Sequence, residues 1–291
     1  MTEGIRAAAI ALYDRFTHEG LDRRSFMTEL TRLAGSAAAA NALLLGIAAS
    51  PAAAAITPEK DKRLIIRRGS LGVPGRRLDG YIAAPRTGRG KLPAIMVIHE
   101  NRGLNRHIED VTRRIALAGY FAVAPDFLTV TGGTAADEDA ARAAIARLDL
   151  AAATADAVFA LERLRKLSRG NGKVGAVGFC WGGAFVNRLA VAAGTRLNAG
   201  VSYYGPAPDP GEAKKVEAPL LIHLAGNDAR VMATATPWVA ALKAAGKRVE
   251  SYVYEGAEHA FNNDTSAERY NEAAARLAWQ RSLSFFAREL R

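Results

Sequence analysis

The stretch Lys173-Val174-Gly175-Ala176-Val177-Gly178-Phe179-Cys180-Trp181-Gly182-Gly183 constrains this chain more than any other. Residues 173–179 read as a buried strand, and residues 180–183 as a tight turn and the start of a helix. The only cysteine of the chain stands at the apex of that turn. Gly178 lets the backbone turn sharply, while Gly182 and Gly183 keep the helix close to the strand. Gly-x-nucleophile-x-Gly at a strand–turn–helix corner is the nucleophile-elbow pattern, here with cysteine in the place usual for serine. The pattern nominates Cys180 as a nucleophile. The rest of the chain must then supply a base, an acid to orient that base, and a platform.

The platform is legible in the alternation around the elbow. Continuous apolar runs at 94–99, 121–126, 199–204 and 219–225 read as strands buried on both faces. Helical patterns at 108–118, 137–148, 151–167, 182–193 and 237–245 separate them, and a strand at 248–254 precedes a helix at 267–290. Strands at 63–68 and 78–83, joined through Pro74-Gly75, read as an antiparallel pair. This alternation implies an α/β fold, with a mainly parallel central sheet and helices on both faces. Ligands then meet the sheet at the carboxyl ends of its strands. With 291 residues, 49% apolar and 23% charged, the chain suits one such catalytic domain.

A thiol needs a base or a positive field to become a thiolate. Two strand ends offer the partners. Asp228 lies in the loop after the run Leu220-Leu221-Ile222-His223-Leu224-Ala225-Gly226-Asn227, and His259 lies in Glu258-His259-Ala260-Phe261 after the last strand. Taken alone, Asp228 also suits a turn or a helix cap, and His259 a packed core histidine. Their joint placement and the order nucleophile, acid, histidine are those of the α/β-hydrolase fold. His223 lies mid-strand, His18 lies near the N-terminus, and His99 and His107 flank a loop, so each fits the base role less well.

Residues from about 63 to 290 resemble the dienelactone hydrolase family of α/β-hydrolases. The resemblance rests on Gly178-Phe179-Cys180-Trp181-Gly182-Gly183, Leu224-Ala225-Gly226-Asn227-Asp228 and Glu258-His259-Ala260-Phe261. It implies a hydrolase of small esters or lactones, acting through a Cys180–His259–Asp228 triad and a thioacyl intermediate. It also implies that Glu100, at the end of the first buried strand, gates ionisation of the thiol. An oxyanion hole needs two backbone N–H groups. Position assigns one to Trp181, and the resemblance assigns the other to Asn101. Relatives that act on a carboxylated lactone clamp it with arginines, yet Pro125-Asp126-Phe127-Leu128-Thr129-Val130 contains none and the position four after the histidine is Asn263. Arg102, Phe127, Tyr203, Tyr204 and Phe261 remain as candidate pocket residues. A non-catalytic binding protein or a redox-responsive thiol protein on the same scaffold is the alternative, though no second cysteine is present to resolve a sulfenic acid.

Residues 1–55 read as a separate segment, and 56–291 as the hydrolase domain. Arg23-Arg24-Ser25-Phe26-Met27 precedes an apolar, Ala-rich run and then the small residues 50–55. This order resembles a twin-arginine signal peptide, which implies the Tat export machinery as a partner, cleavage near Ala54 or Ala55, and a periplasmic or secreted enzyme. An Ala-rich N-terminal helix on a cytoplasmic enzyme is the alternative. The apolar run is short and interrupted, so no membrane span is expected. The net charge of +10 comes without a long Lys/Arg run, which fits a solvated basic surface and no nucleic-acid partner. A single cysteine excludes an intramolecular disulfide and a cysteine-built zinc site. No metal or organic cofactor is expected.

Overall fold

Eight strands form one sheet in the order β1-β2-β4-β3-β5-β6-β7-β8. The computed structural model describes residues 2–48, 55–73, 75–87 and 90–291. The strands are β1 (Leu64–Ser70), β2 (Asp79–Pro85), β3 (Leu92–Ile98), β4 (Phe121–Asp126), β5 (Gly170–Phe179), β6 (Ala199–Tyr203), β7 (Leu220–Ala225) and β8 (Val249–Tyr254). β2 runs antiparallel to β1 and β4, and β4-β3-β5-β6-β7-β8 pair in parallel. The parallel strands read as unbroken apolar runs because both faces are covered. On one face α4 (Arg106–Leu117) and α9 (Glu272–Leu290) pack through Ile108, Val111, Ile115, Phe285 and Phe286. On the other, α6 (Leu150–Arg165), α7 (Trp181–Ala193) and α8 (Ala229–Ala244) pack through Leu161, Val186, Leu189 and Trp238. A shorter helix, α5 (Glu138–Ala146), follows β4. The expected α/β-hydrolase architecture is therefore present.

Helix α8 begins eight residues before the expected 237. Pro237, which reads as a first-turn residue, sits inside the helix. The start is set instead by Asp228, whose side chain accepts the Val231 N–H.

The N-terminal residues make a unit of their own: α1 (Glu3–His18), α2 (Arg23–Ala34) and α3 (Ala37–Ile47). Asp22 and Ser36 cap α2 and α3. Ile10, Tyr13, Phe16, Phe26, Leu30, Leu43 and Ile47 close into an apolar cluster separate from the two that flank the sheet. The chain is fixed to the sheet domain again by Thr57, whose N–H donates to Asp110 (2.7 Å) and whose carbonyl accepts from Arg113 (3.0 Å). The expected cleavage point near Ala54 or Ala55 falls at the edge of a stretch, 49–54, outside the described residues. Among the described residues no single helix is long and apolar enough to cross a membrane; α2 and α3 reach that composition only together, bent by 109°.

Candidate active site

The elbow forms because three backbones crowd into the space of side chains. A Cβ on Gly178 would lie 2.1 Å from the Gly182 carbonyl oxygen, and one on Gly182 would lie 2.3 Å from that of Ile98. Between them Cys180 adopts φ 55° and ψ −114°, a conformation uncommon for a side-chain-bearing residue and held there by its surroundings. Its N–H donates to the Tyr203 carbonyl (3.0 Å), which ties the turn to β6. The thiol thus stands at the carboxyl end of β5 and at the N-terminus of α7, whose dipole favours negative charge. Trp181 is the first residue of α7, and Asn101 lies in the loop after β3, the positions expected of the two oxyanion donors.

The loops after β7 and β8 are tied together. Asn227 N–H donates to Ala257 O (3.0 Å), and its side-chain amide donates to Glu258 (2.8 Å). That tie presents His259 to Asp228, with Nδ1 donating to Oδ2 at 2.5 Å. Asp228 Oδ1 accepts the Val231 N–H at 3.0 Å, so the acid is both partner and helix cap. Burial is the largest influence on Asp228 and opposes its charge, but the bond to His259, the charge on that ring, the Val231 N–H and Arg230 together hold the carboxyl below its ordinary value. Burial likewise opposes charge on His259, yet the negative charge at Cys180 and then the Asp228 bond push it up to about 10. The His259 Nε2 atom is buried without a partner, and a ring nitrogen of His259 lies within 4.8 Å of Cys180 Sγ.

Glu100 is buried beside this pair. One carboxylate oxygen accepts from the Asn263 side-chain amide (2.9 Å), while the other has no partner. The carbonyl of Glu100 lies 2.7 Å from His99 Nδ1, and the His99 ring stacks on Trp181 at 5.2 Å.

Glu100, Asn101, Arg102, Cys180 and His259 line one small cavity of about 10 Å³. Tyr13, Thr17, His18, Ala260 and Arg269 complete its wall. Asp228 stands directly behind His259. The other expected pocket residues lie elsewhere. Tyr203 packs in the core, its hydroxyl 2.7 Å from Ser282 Oγ on α9. Phe127 is buried against His99, Trp181 and Phe185, and Phe261 against Tyr203, Tyr204 and Tyr254. Tyr204 sits behind the base, its ring 5.2 Å from that of His259. Tyr203, Phe127 and Phe261 turn their side chains into the apolar layers, whereas the buried hydroxyl of Tyr204 has no partner and lies near the charges of Glu100 and Cys180. Larger hollows of about 620 and 650 Å³ lie away from the thiol, and no cysteine or histidine lines either.

Sequence reasoning missed His18 and Arg269. His18 Nε2 stands 3.9 Å from Cys180 Sγ, and its ring lies edge-on to that of His259 at 4.7 Å. Burial and the neighbouring His259 hold His18 well below its ordinary value, so it is neutral. Together His18, Cys180 and His259 offer ligand atoms within 4.8 Å of one another, a thiolate–imidazole set of the type that suits zinc. Nothing local in the sequence marks His18 as a site residue.

The sheet order, the elbow and the tied acid and histidine loops define an α/β-hydrolase. The family model for the dienelactone hydrolase family matches residues 78–290. A protein of Escherichia coli (strain K12) named "Putative carboxymethylenebutenolidase" is 32% identical over 256 residues, covering 82% of this chain and 93% of that one. One of the same name from Methylorubrum extorquens is 30% identical over 285 residues, covering 91% and 96%. The crystal structure of a protein described as a putative dienelactone hydrolase from Klebsiella pneumoniae superposes with a TM-score of 0.70 at 30% identity, covering 77% of this chain and 98% of that one. The chain belongs to the dienelactone hydrolase family, and is a hydrolase of that family's type.

Proposed function

We propose that this protein hydrolyses small esters or lactones with Cys180 as the nucleophile. One observation carries the reading. The elbow thiol, the unpartnered Nε2 of a buried histidine and the carboxylate on that histidine's other nitrogen stand together at three strand ends. His259 takes the thiol proton, and the thiolate forms a C–S bond to the substrate carbonyl carbon. The negative oxygen meets the N–H groups of Trp181 and Asn101. Collapse breaks the C–O bond, and His259 gives its proton to the leaving alkoxide, which stays tethered if the substrate is a lactone. Water then loses a proton to His259, attacks the thioester and releases the acid, restoring the thiol. Asp228 keeps the imidazole oriented throughout. Glu100, buried beside them, gates ionisation of the thiol.

The test is turnover of p-nitrophenyl acetate and a panel of lactones by wild type and Cys180→Ala, with mass spectrometry of the quenched enzyme. An acetyl adduct on the peptide containing Cys180, absent from the variant, is the expected result. Equal rates in the two proteins, in a form whose Cys180 is accessible to thiol reagent, exclude the cysteine mechanism.

Export by the twin-arginine route belongs to the same reading. It is supported by Arg23-Arg24 ahead of an apolar run and small residues. Mass spectrometry of the periplasmic fraction should find a chain beginning near residue 55, and an intact N-terminus confined to the cytosol would count against it.

A further inference from the structure

We infer that the face around Cys180 is a docking surface for the chain's own residues 2–47, and that the site is shut to substrate while they are docked. The cavity at the thiol measures about 10 Å³, room for one water at most. Pockets for small molecules run from about 300 Å³ upward. Helix α1 fills the space. Its Tyr13, Thr17 and His18 form one wall, with His18 Nε2 at 3.9 Å from the reacting sulfur. The Tyr13 ring lies between two guanidinium groups, 5.9 Å from that of Arg102 and 5.0 Å from that of Arg269, and its hydroxyl meets Arg102. Asn101, whose N–H is the second oxyanion donor of the proposed function, gives its side-chain amide to the Thr17 carbonyl (3.3 Å).

The unit is built to come away whole. Its apolar residues close on one another in a cluster of their own. Its bonds to the sheet domain are mostly polar. Arg6 pairs with Glu268 (2.7 Å) and Arg23 with Asp139 (2.5 Å). The Ile47 carbonyl accepts from Ser266 Oγ (2.5 Å) and Arg269 Nε (3.1 Å), and the Gly46 carbonyl accepts from Glu268 N–H (3.0 Å). Arg142 covers the Phe16 ring at 3.9 Å. Polar interfaces of this kind exchange their bonds for water with little loss, whereas a shared core does not. Departure of the unit leaves Arg102, Arg269 and the thiol facing solvent across a vacated cleft.

The experiment uses the single cysteine of the full chain as its own reporter. Dithionitrobenzoate labelling of Cys180 is measured in wild type and in two variants placed within the unit, Leu30→Asp in its cluster and Tyr13→Ala at its tip, with circular dichroism to establish that the sheet domain remains folded. Wild type should label slowly, and both variants at least about ten-fold faster, since local opening sets the rate. Ester turnover should rise in the same proportion. Wild-type labelling as fast as that of an unfolded thiol, or no gain in either folded variant, would overturn the inference. Only the turnover readout rests on the proposed function. Faster labelling without any turnover would uphold the closed site and sink the hydrolase mechanism.

Discussion

His259 donates from Nδ1 to Asp228 Oδ2 at 2.5 Å, and the remaining oxygen of that carboxylate holds the first turn of α8. One side chain therefore serves both the base and the scaffold. Asp228→Asn keeps a carbonyl oxygen for the Val231 N–H but loses the charge that supports an imidazolium. It should lower ester turnover by about 10³ to 10⁴-fold, as in other triads, while unfolding close to wild type. Asp228→Ala should lose the cap as well, about 1 kcal/mol further. Denaturant unfolding run beside kinetics separates the two effects. Equal stability of the Asn and Ala variants would show that the cap contributes nothing.

The negative charge at Cys180 is the largest influence raising His259, against burial. The folded value, about 10, exceeds the free imidazole value of 6.5. The linked stability is thus fully present below about pH 6.5 and is lost as the pH climbs through about 10. Cys180→Ala should bring the His259 titration down and flatten that loss. Histidine NMR titration and unfolding at the two ends of this range would check it. A His259 that still titrates near 10 in the variant would assign the shift to Asp228 alone.

The Asn263 side-chain amide donates to Glu100, at a position where the family resemblance implies an arginine. Asn263→Leu would strand a buried carboxylate whose other oxygen already lacks a partner. We expect about 1–3 kcal/mol of destabilisation. The pH dependence of thiol alkylation should change too. An unchanged alkylation profile would separate Glu100 from control of the thiol.

Gly182→Ala would place a methyl carbon 2.3 Å from the Ile98 carbonyl oxygen and 2.5 Å from that of His99. Backbone at the end of β3 has to move, so the change should cost more than about 3 kcal/mol and yield little soluble protein. Normal expression with a normal melting temperature would contradict the close packing described for the elbow.

The strands, the elbow and the meeting of Asp228 with His259 were legible because each rests on a local pattern. Unbroken apolar runs mark strands covered on both faces, and glycines mark the corner where backbones touch. The start of α8 was not, because Pro237 reads as a helix opener, and Asp228, which suits a cap or a triad acid, reads there as the acid when it is the cap as well. Its side chain caps the helix and holds the histidine at once. Tyr203, Phe127 and Phe261 look like pocket residues from position alone, but the direction in which a side chain leaves a strand end depends on the layer that covers it. His18 lies 162 residues from the sulfur it approaches, and no periodicity or spacing encodes such a meeting. Asn263 left a visible trace as a departure from the family pattern, without indicating that Glu100 was its partner.

Arg6 finds its partner 262 residues away, at Glu268. A ribosome makes the chain from its N-terminus, so the first helices exist long before the residues that anchor them. Cys180 is made next, then His259, and the contacts at 266–269 after both. Full seating of the helices is therefore a late event in the life of each molecule. A nascent chain stalled before residue 266 would hold them only through earlier partners such as Arg102, Asp139 and Arg142.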